Sequence, residues 1–188
     1  GGKCYRLEQR SIDRMAGASG FCFGEVRCMG QIVCKFGGSS VADAQQIQKV
    51  VSIVRADDRR CFVVPSAPGK RFDDDTKITD LLYLCHELAR QKVDFSEPFN
   101  QIRTRFLDLT QALELSLDMS ALLDEVRNRI ADGAGEDYVA SRGEYLNGQI
   151  LAALLNATFV DPKDAILFRP DGRLDQASYG QLKMRLSG

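Results

Sequence analysis

The chain has 188 residues, 44% hydrophobic and 27% charged, which is the size and make-up of one ordinary globular domain with a real core. Its net charge of -1, with basic and acidic residues interspersed throughout, argues against nucleic acid as a partner, because phosphate-tracking proteins gather Lys and Arg on one face. There is no apolar run long enough to span a membrane and no charged-then-apolar start typical of a secretory signal, so the expected compartment is the cytoplasm.

Residues 1–30 contain six glycines and no apolar period, and read as a leader outside the domain. Met29 stands directly before the first convincing strand and reads as a natural initiator, with the preceding residues as upstream read-through. The domain is expected over 31–188. The pattern predicts a buried strand over 31–36, then Gly37-Gly38-Ser39-Ser40, then an amphipathic helix carrying Ala44, Ile47, Val50, Val51 and Val54. Ser40 and Asp43 have capping-box spacing, which sets the helix start directly after the glycines. A second strand follows at 61–64, completing a β-loop-α-β unit whose parallel strands join a doubly wound sheet.

Beyond a loop over 66–79, Leu81, Leu82, Cys85, Leu88 and Ala89 mark one helix. A second carries Phe95, Phe99, Ile102, Phe106, Leu109 and Leu113, and a third carries Met119, Leu122, Leu123, Val126 and Ile130 and stops at Gly133. These form a helical insertion on one side of the sheet, with their apolar stripes read as core. A helix over 141–155, short strands over 158–161 and 165–168, and a last helix over 175–186 complete the chain. The fold class expected is α/β, a three-layer αβα sandwich with a mainly parallel sheet and a helical insertion.

Cys34, Cys61 and Cys85 fall in apolar segments, and Cys4, Cys22 and Cys28 in the leader, with no C-x-x-C pair, so the cysteines read as small hydrophobes and not as disulfides or metal ligands. His86, at the solvent edge of a helical pattern, is given no role.

Three segments carry chemistry. The glycine turn after the first strand presents backbone N–H groups and the positive end of a helix dipole, an anion site to which Lys35 adds a full charge and Ser39 and Ser40 add hydroxyls. Its spacing is not that of a Walker loop. The loop Val64-Pro65-Ser66-Ala67-Pro68-Gly69-Lys70-Arg71 follows the second strand and opens on the same sheet edge, where open α/β sheets bind ligands. Asp73, Asp74 and Asp75 within it read as a solvated acidic run. In Ser141-Arg142-Gly143-Glu144, Glu144 has two readings. Ser141 and Glu144 have the separation of a capping box, and a carboxylate at a helix start facing a phosphate cradle could also receive a substrate ammonium group.

Taken in order, Lys35-Phe36-Gly37-Gly38-Ser39-Ser40, Ser66-Ala67-Pro68-Gly69 with Thr79-Asp80-Leu81-Leu82, and Ser141-Arg142-Gly143-Glu144 resemble the aspartate kinases of the amino-acid-kinase family. The likeness runs from about Ile32 to the end of the chain. It implies transfer of the γ-phosphoryl group of ATP to the β-carboxylate of L-aspartate, giving β-aspartyl phosphate on the way to lysine, threonine and methionine, with catalysis by positioning and charge stabilisation. By the same resemblance Lys35 is catalytic, and Lys35, Phe36, Gly37, Gly38 and Ser39 bind the ATP phosphates. Ser66, Thr79 and Glu144 then hold aspartate. Magnesium follows from the reaction, with no metal ligand identified in the chain. The full-length protein is expected to be a homo-oligomer. Ser39 stands where the family commonly has threonine, and the stretch over 70–77 is longer than in many relatives. The family's adenine pocket and the arginine for the substrate α-carboxylate lie beyond Gly188, so this polypeptide is expected to be inactive alone and prone to aggregate through its unpaired sheet edge. A family member with a different acceptor, or a non-catalytic binding module, would share the same loops.

Overall fold

The computed structural model describes residues 4–7 and 30–186. Among these residues four short strands form one sheet: β1 (Cys4–Leu7), β2 (Val33–Phe36), β3 (Phe62–Pro65) and β4 (Ala157–Val160), in the spatial order β2-β3-β1-β4. β2 and β3 are parallel, with Val33 opposite Phe62 and Phe36 opposite Pro65. β1 runs antiparallel to both β3 and β4, so β2, β3 and β4 all point the same way. The sequence pattern assigns no element within 1–30, and β1 lies inside that stretch; the other residues before Gly30, with Met29, lie outside the described residues.

Helix α1 (Ala44–Arg55) joins β2 to β3 as the β-loop-α-β pattern requires, and buries Ile47, Val50, Val51 and Val54 on one stripe. Its cap differs from the expectation. Asp43 is itself the N-cap and accepts from the Gln46 amide at 2.8 Å, while Ser40 belongs to the short 3₁₀ turn Gly38–Val41.

The insertion consists of α2 (Ile78–Arg90), α3 (Ser96–Ala112) and α4 (Met119–Ala131). Its stripes of Leu82, Phe99, Ile102, Phe106, Leu123 and Ile130 pack into one core with Leu146 and Ile150. α4 ends as predicted: Gly133 takes φ +83 and the Ala134 amide returns to the Arg129 carbonyl at 3.0 Å. A short helix α5 (Glu136–Ala140) leads into α6 (Arg142–Leu155), which lies against β3, β4 and β1. The expected strand over 165–168 is absent. Phe168 makes one isolated bridge to Leu174 across a turn with Gly172 at φ +78, and the Ser178 hydroxyl binds Leu167. The last helix, α7, is Ala177–Leu186. The architecture is the α/β class expected, with a small sheet and mostly helices.

Candidate functional site

Because β2 and β3 are parallel neighbours, the loops that leave their carboxyl ends emerge side by side, and backbone contacts lock them together. The Ser66 amide donates to the Phe36 carbonyl at 2.9 Å, and the Gly69 amide donates to the Gly38 carbonyl at 2.9 Å. A Cβ on Gly69 would lie 2.7 Å from the Gly38 carbonyl carbon, and one on Gly38 would lie 3.1 Å from the Ala67 oxygen. These two glycines are therefore required by the approach of one backbone to another, and neither has positive φ. Gly37 precedes the 3₁₀ turn in an extended conformation with no side-chain cap, so among the described residues the first amides of the turn have no capping side chain. Lys35 is exposed and makes no ion pair among the described residues, so an uncommitted ammonium group stands three residues before the turn. Phe36 is half-buried against the core, and Ser39 is exposed.

The start of α6 closes on the same loops. Gly143 is buried so tightly that an added Cβ would meet the Ala67 Cβ at 2.6 Å and Ile78 Cγ2 at 3.2 Å. One turn on, Asn147, fully buried, donates from Nδ2 to the Ser66 carbonyl at 2.7 Å. Ile78 opens α2, so Thr79, half-buried in its first turn, follows directly on the residue that packs over Gly143. Gly37, Gly38 and Ser39 thus stand on a turn bonded to the Ser66–Gly69 loop, and that loop in turn packs with the starts of α2 and α6, which carry Thr79 and Glu144.

The capping-box reading of Glu144 fails on geometry. The Ser141 hydroxyl does not cap α6; it donates to the Tyr138 carbonyl at 2.7 Å and accepts from Arg142. The Glu144 side chain is half-exposed and has no hydrogen bond or ion pair among the described residues. Arg142 has a structural place, with its guanidinium between the rings of Tyr138 at 4.2 Å and Tyr145 at 4.6 Å.

The acidic run also departs from the sequence reading. Asp73 and Asp74 are exposed, but Asp75 is 9% exposed and receives Arg71 at 2.9 Å and Arg105 at 2.8 Å. Hydrogen bonding from Arg71, with Arg105 nearby, holds its carboxyl well below the usual carboxylate range. The sequence pattern gives Asn147 and Arg105 no role. Both occupy inward positions of otherwise apolar helix faces, beside Leu146 and Ile150 and between Ile102 and Leu109, and a polar side chain at such a position is the signal available in sequence. Among the described residues no cluster of three or more His, Cys, Asp or Glu could hold a metal.

Adjacent parallel strands that each release a glycine-bearing loop at the carboxyl edge, roofed by a helix start, define an α/β protein of the class that binds ligands at that edge. More narrowly, the chain belongs to the amino acid kinase family, whose model matches residues 30–186. It is 35% identical over 150 residues to aspartokinase 3 of Bacillus subtilis (strain 168), covering 72% of this chain and 32% of that protein. It is 31% identical over 160 residues to the chloroplastic bifunctional aspartokinase/homoserine dehydrogenase 1 of Arabidopsis thaliana, covering 73% and 17%. Among solved structures it is similar to the Clostridium acetobutylicum aspartate kinase, with TM-score 0.81, 44% identity and coverage of 82% of this chain and 36% of that one. It shares the fold of E. coli aspartokinase III, solved with aspartate and ADP, at TM-score 0.61, 22% identity and coverage of 81% and 36%. The chain spans a third or less of the length of the curated relatives it matches.

Proposed function

We propose that this chain is the substrate- and phosphate-binding part of an aspartate kinase, which transfers the γ-phosphoryl group of ATP to the β-carboxylate of L-aspartate. The observation that carries the reading is the interlocking of the glycine turn, the Ser66–Gly69 loop and the start of α6, in a chain 44% identical over its matched length to a solved aspartate kinase. The product is β-aspartyl phosphate, and the pathway served leads to lysine, threonine and methionine.

In this reading the first amides of the glycine turn and the Lys35 ammonium neutralise the phosphoryl oxygens as charge moves onto them. Phe36 and Ser39 border the phosphates, and magnesium enters with the nucleotide. Glu144 receives the aspartate ammonium group. The failure of its cap role supports this, because a half-buried carboxylate with no side-chain partner among the described residues suits a cationic ligand. Ser66 and Thr79 line the acceptor side. The reaction belongs to the cytoplasm, and the full-length protein acts as a homo-oligomer. The nucleotide-binding remainder is needed for turnover, so the chain by itself is inactive.

The test is ADP release by the full-length protein with ATP, magnesium and L-aspartate. Lys35→Ala is expected to lower kcat by about a hundredfold or more, as loss of one transition-state charge contact does. Glu144→Ala is expected to raise KM for aspartate at least tenfold while leaving KM for ATP near wild type. Turnover with acetylglutamate, glutamate or uridine monophosphate in place of aspartate would move the protein to another acceptor within the family. Binding of aspartate and ATP without turnover would make it a non-catalytic module.

A further inference from the structure

Arg105 lies on α3, outside every segment assigned above to the reaction, and is 4% exposed. Its guanidinium reaches the Asp75 carboxylate and the Thr76 carbonyl with Nη1, at 2.8 and 3.3 Å. With Nη2 it reaches the carbonyls of Gly69 and Ala42, the latter at 3.5 Å. A buried cation is costly to hold unless its hydrogen-bonding and charge partners are in place. Here every partner belongs to a segment that carries or adjoins a site residue. Gly69 hands its own amide to Gly38, Ala42 follows the 3₁₀ turn that begins at Gly38, and Thr76 stands three residues before Thr79. None of them belongs to α4 or α6, although α3 packs against both.

We propose that Arg105 is a positioning residue for phosphoryl transfer: it fixes the glycine turn, the Gly69 arm and the approach to Thr79 in one register, and so sets the acceptor carboxylate in line with the phosphoryl group. The inference rests on the kinase reading given above. A planar guanidinium with five N–H groups can span several separate acceptors, whereas an ammonium group with three donors on a flexible stem cannot hold them in one geometry. Arg105→Lys therefore keeps the charge opposite Asp75 and loses the register. In-line transfer is sensitive to misplacement on the scale of an ångström.

The experiment measures ADP release and hydrogen exchange in the full-length protein, wild type against Arg105→Lys, with rates taken per folded molecule. The expected result is a kcat reduced about tenfold or more. Peptides covering 37–42 and 66–76 should exchange faster, and the peptide covering 119–131 should be unchanged. Should Arg105→Lys fail to fold, the paired variant Arg105→Gln with Asp75→Asn leaves no charge to bury unpaired and is expected to give the same pattern. Wild-type kcat per folded molecule in whichever variant folds would overturn the proposal and reduce Arg105 to an anchor of the insertion. If the wild type shows no aspartate-dependent turnover, the kinase reading fails by itself. The exchange arm then decides separately: faster exchange confined to the two loops supports the positioning role, and unchanged or global exchange overturns it.

Discussion

Asp75 shows at the scale of a single residue how burial reverses a composition-based reading. Three adjacent aspartates look solvated in sequence, yet one turns inward against two arginines. Its carboxyl is held well below the ordinary 3.8, chiefly by the Arg71 hydrogen bonds, so the unfolded state takes up protons first as acid is added. Its stabilising contribution is therefore complete above that ordinary value and is lost as pH falls below it. Denaturant titrations at successive pH values should show wild-type stability dropping more steeply below about pH 4 than that of Asp75→Asn. At neutral pH Asp75→Asn should be the less stable protein by roughly 3 kcal/mol, since it leaves Arg105 buried without its counter-charge. Equal slopes in the two proteins would remove Asp75 from the acid response. Cys85 agrees with its sequence reading as a small hydrophobe: it is buried, and burial pushes its thiol up to about 12.

Elements were legible where an apolar period was long, and α1 to α4 and α6 lie where the stripes put them. Boundaries failed where a side chain could serve two hydrogen bonds. Ser40 and Asp43, or Ser141 and Glu144, have capping-box spacing, but spacing does not say whether the hydroxyl turns toward the helix or back to a preceding carbonyl, as that of Ser141 does. β1 was not legible because four residues among many glycines give too short an alternation to rise above chance. The order of the three loop motifs was enough to indicate a candidate site. The contacts that hold it together were not, because Asn147 and Arg105 act through atoms that no spacing rule tracks. The tight seat of α6 gives a prediction for this element. Gly143→Ala should cost about 1–3 kcal/mol by overpacking against Ala67, read as a lower denaturation midpoint with the m-value unchanged. A midpoint equal to wild type would mean that α6 can shift without penalty.

Across the whole molecule, one core joins residues of the sheet unit, such as Val54 and Val63, to those of the insertion, such as Phe106 and Leu123. Loop placement therefore depends on helix packing, and α3 reaches the site through Arg105. Among the described residues β2 pairs only with β3 and β4 only with β1, leaving one side of each strand open, and Val33 on β2 is 63% exposed. Concentration-dependent association of the isolated chain is expected in sedimentation velocity, and Val33→Lys should reduce it, since a lysine on an edge strand opposes pairing. A single monomer boundary across the whole concentration range would contradict this. The glycine contacts also have a genetic corollary. At Gly143 the obstacle to a methyl group is another methyl, that of Ala67, so a loss at Gly143→Ala should be suppressed in part by Ala67→Gly. Between Gly38 and Gly69 the obstacle is main chain, which no second-site change of side chain can remove. A library of revertants should accordingly yield intragenic suppressors for the first position and only true reversions for the other two.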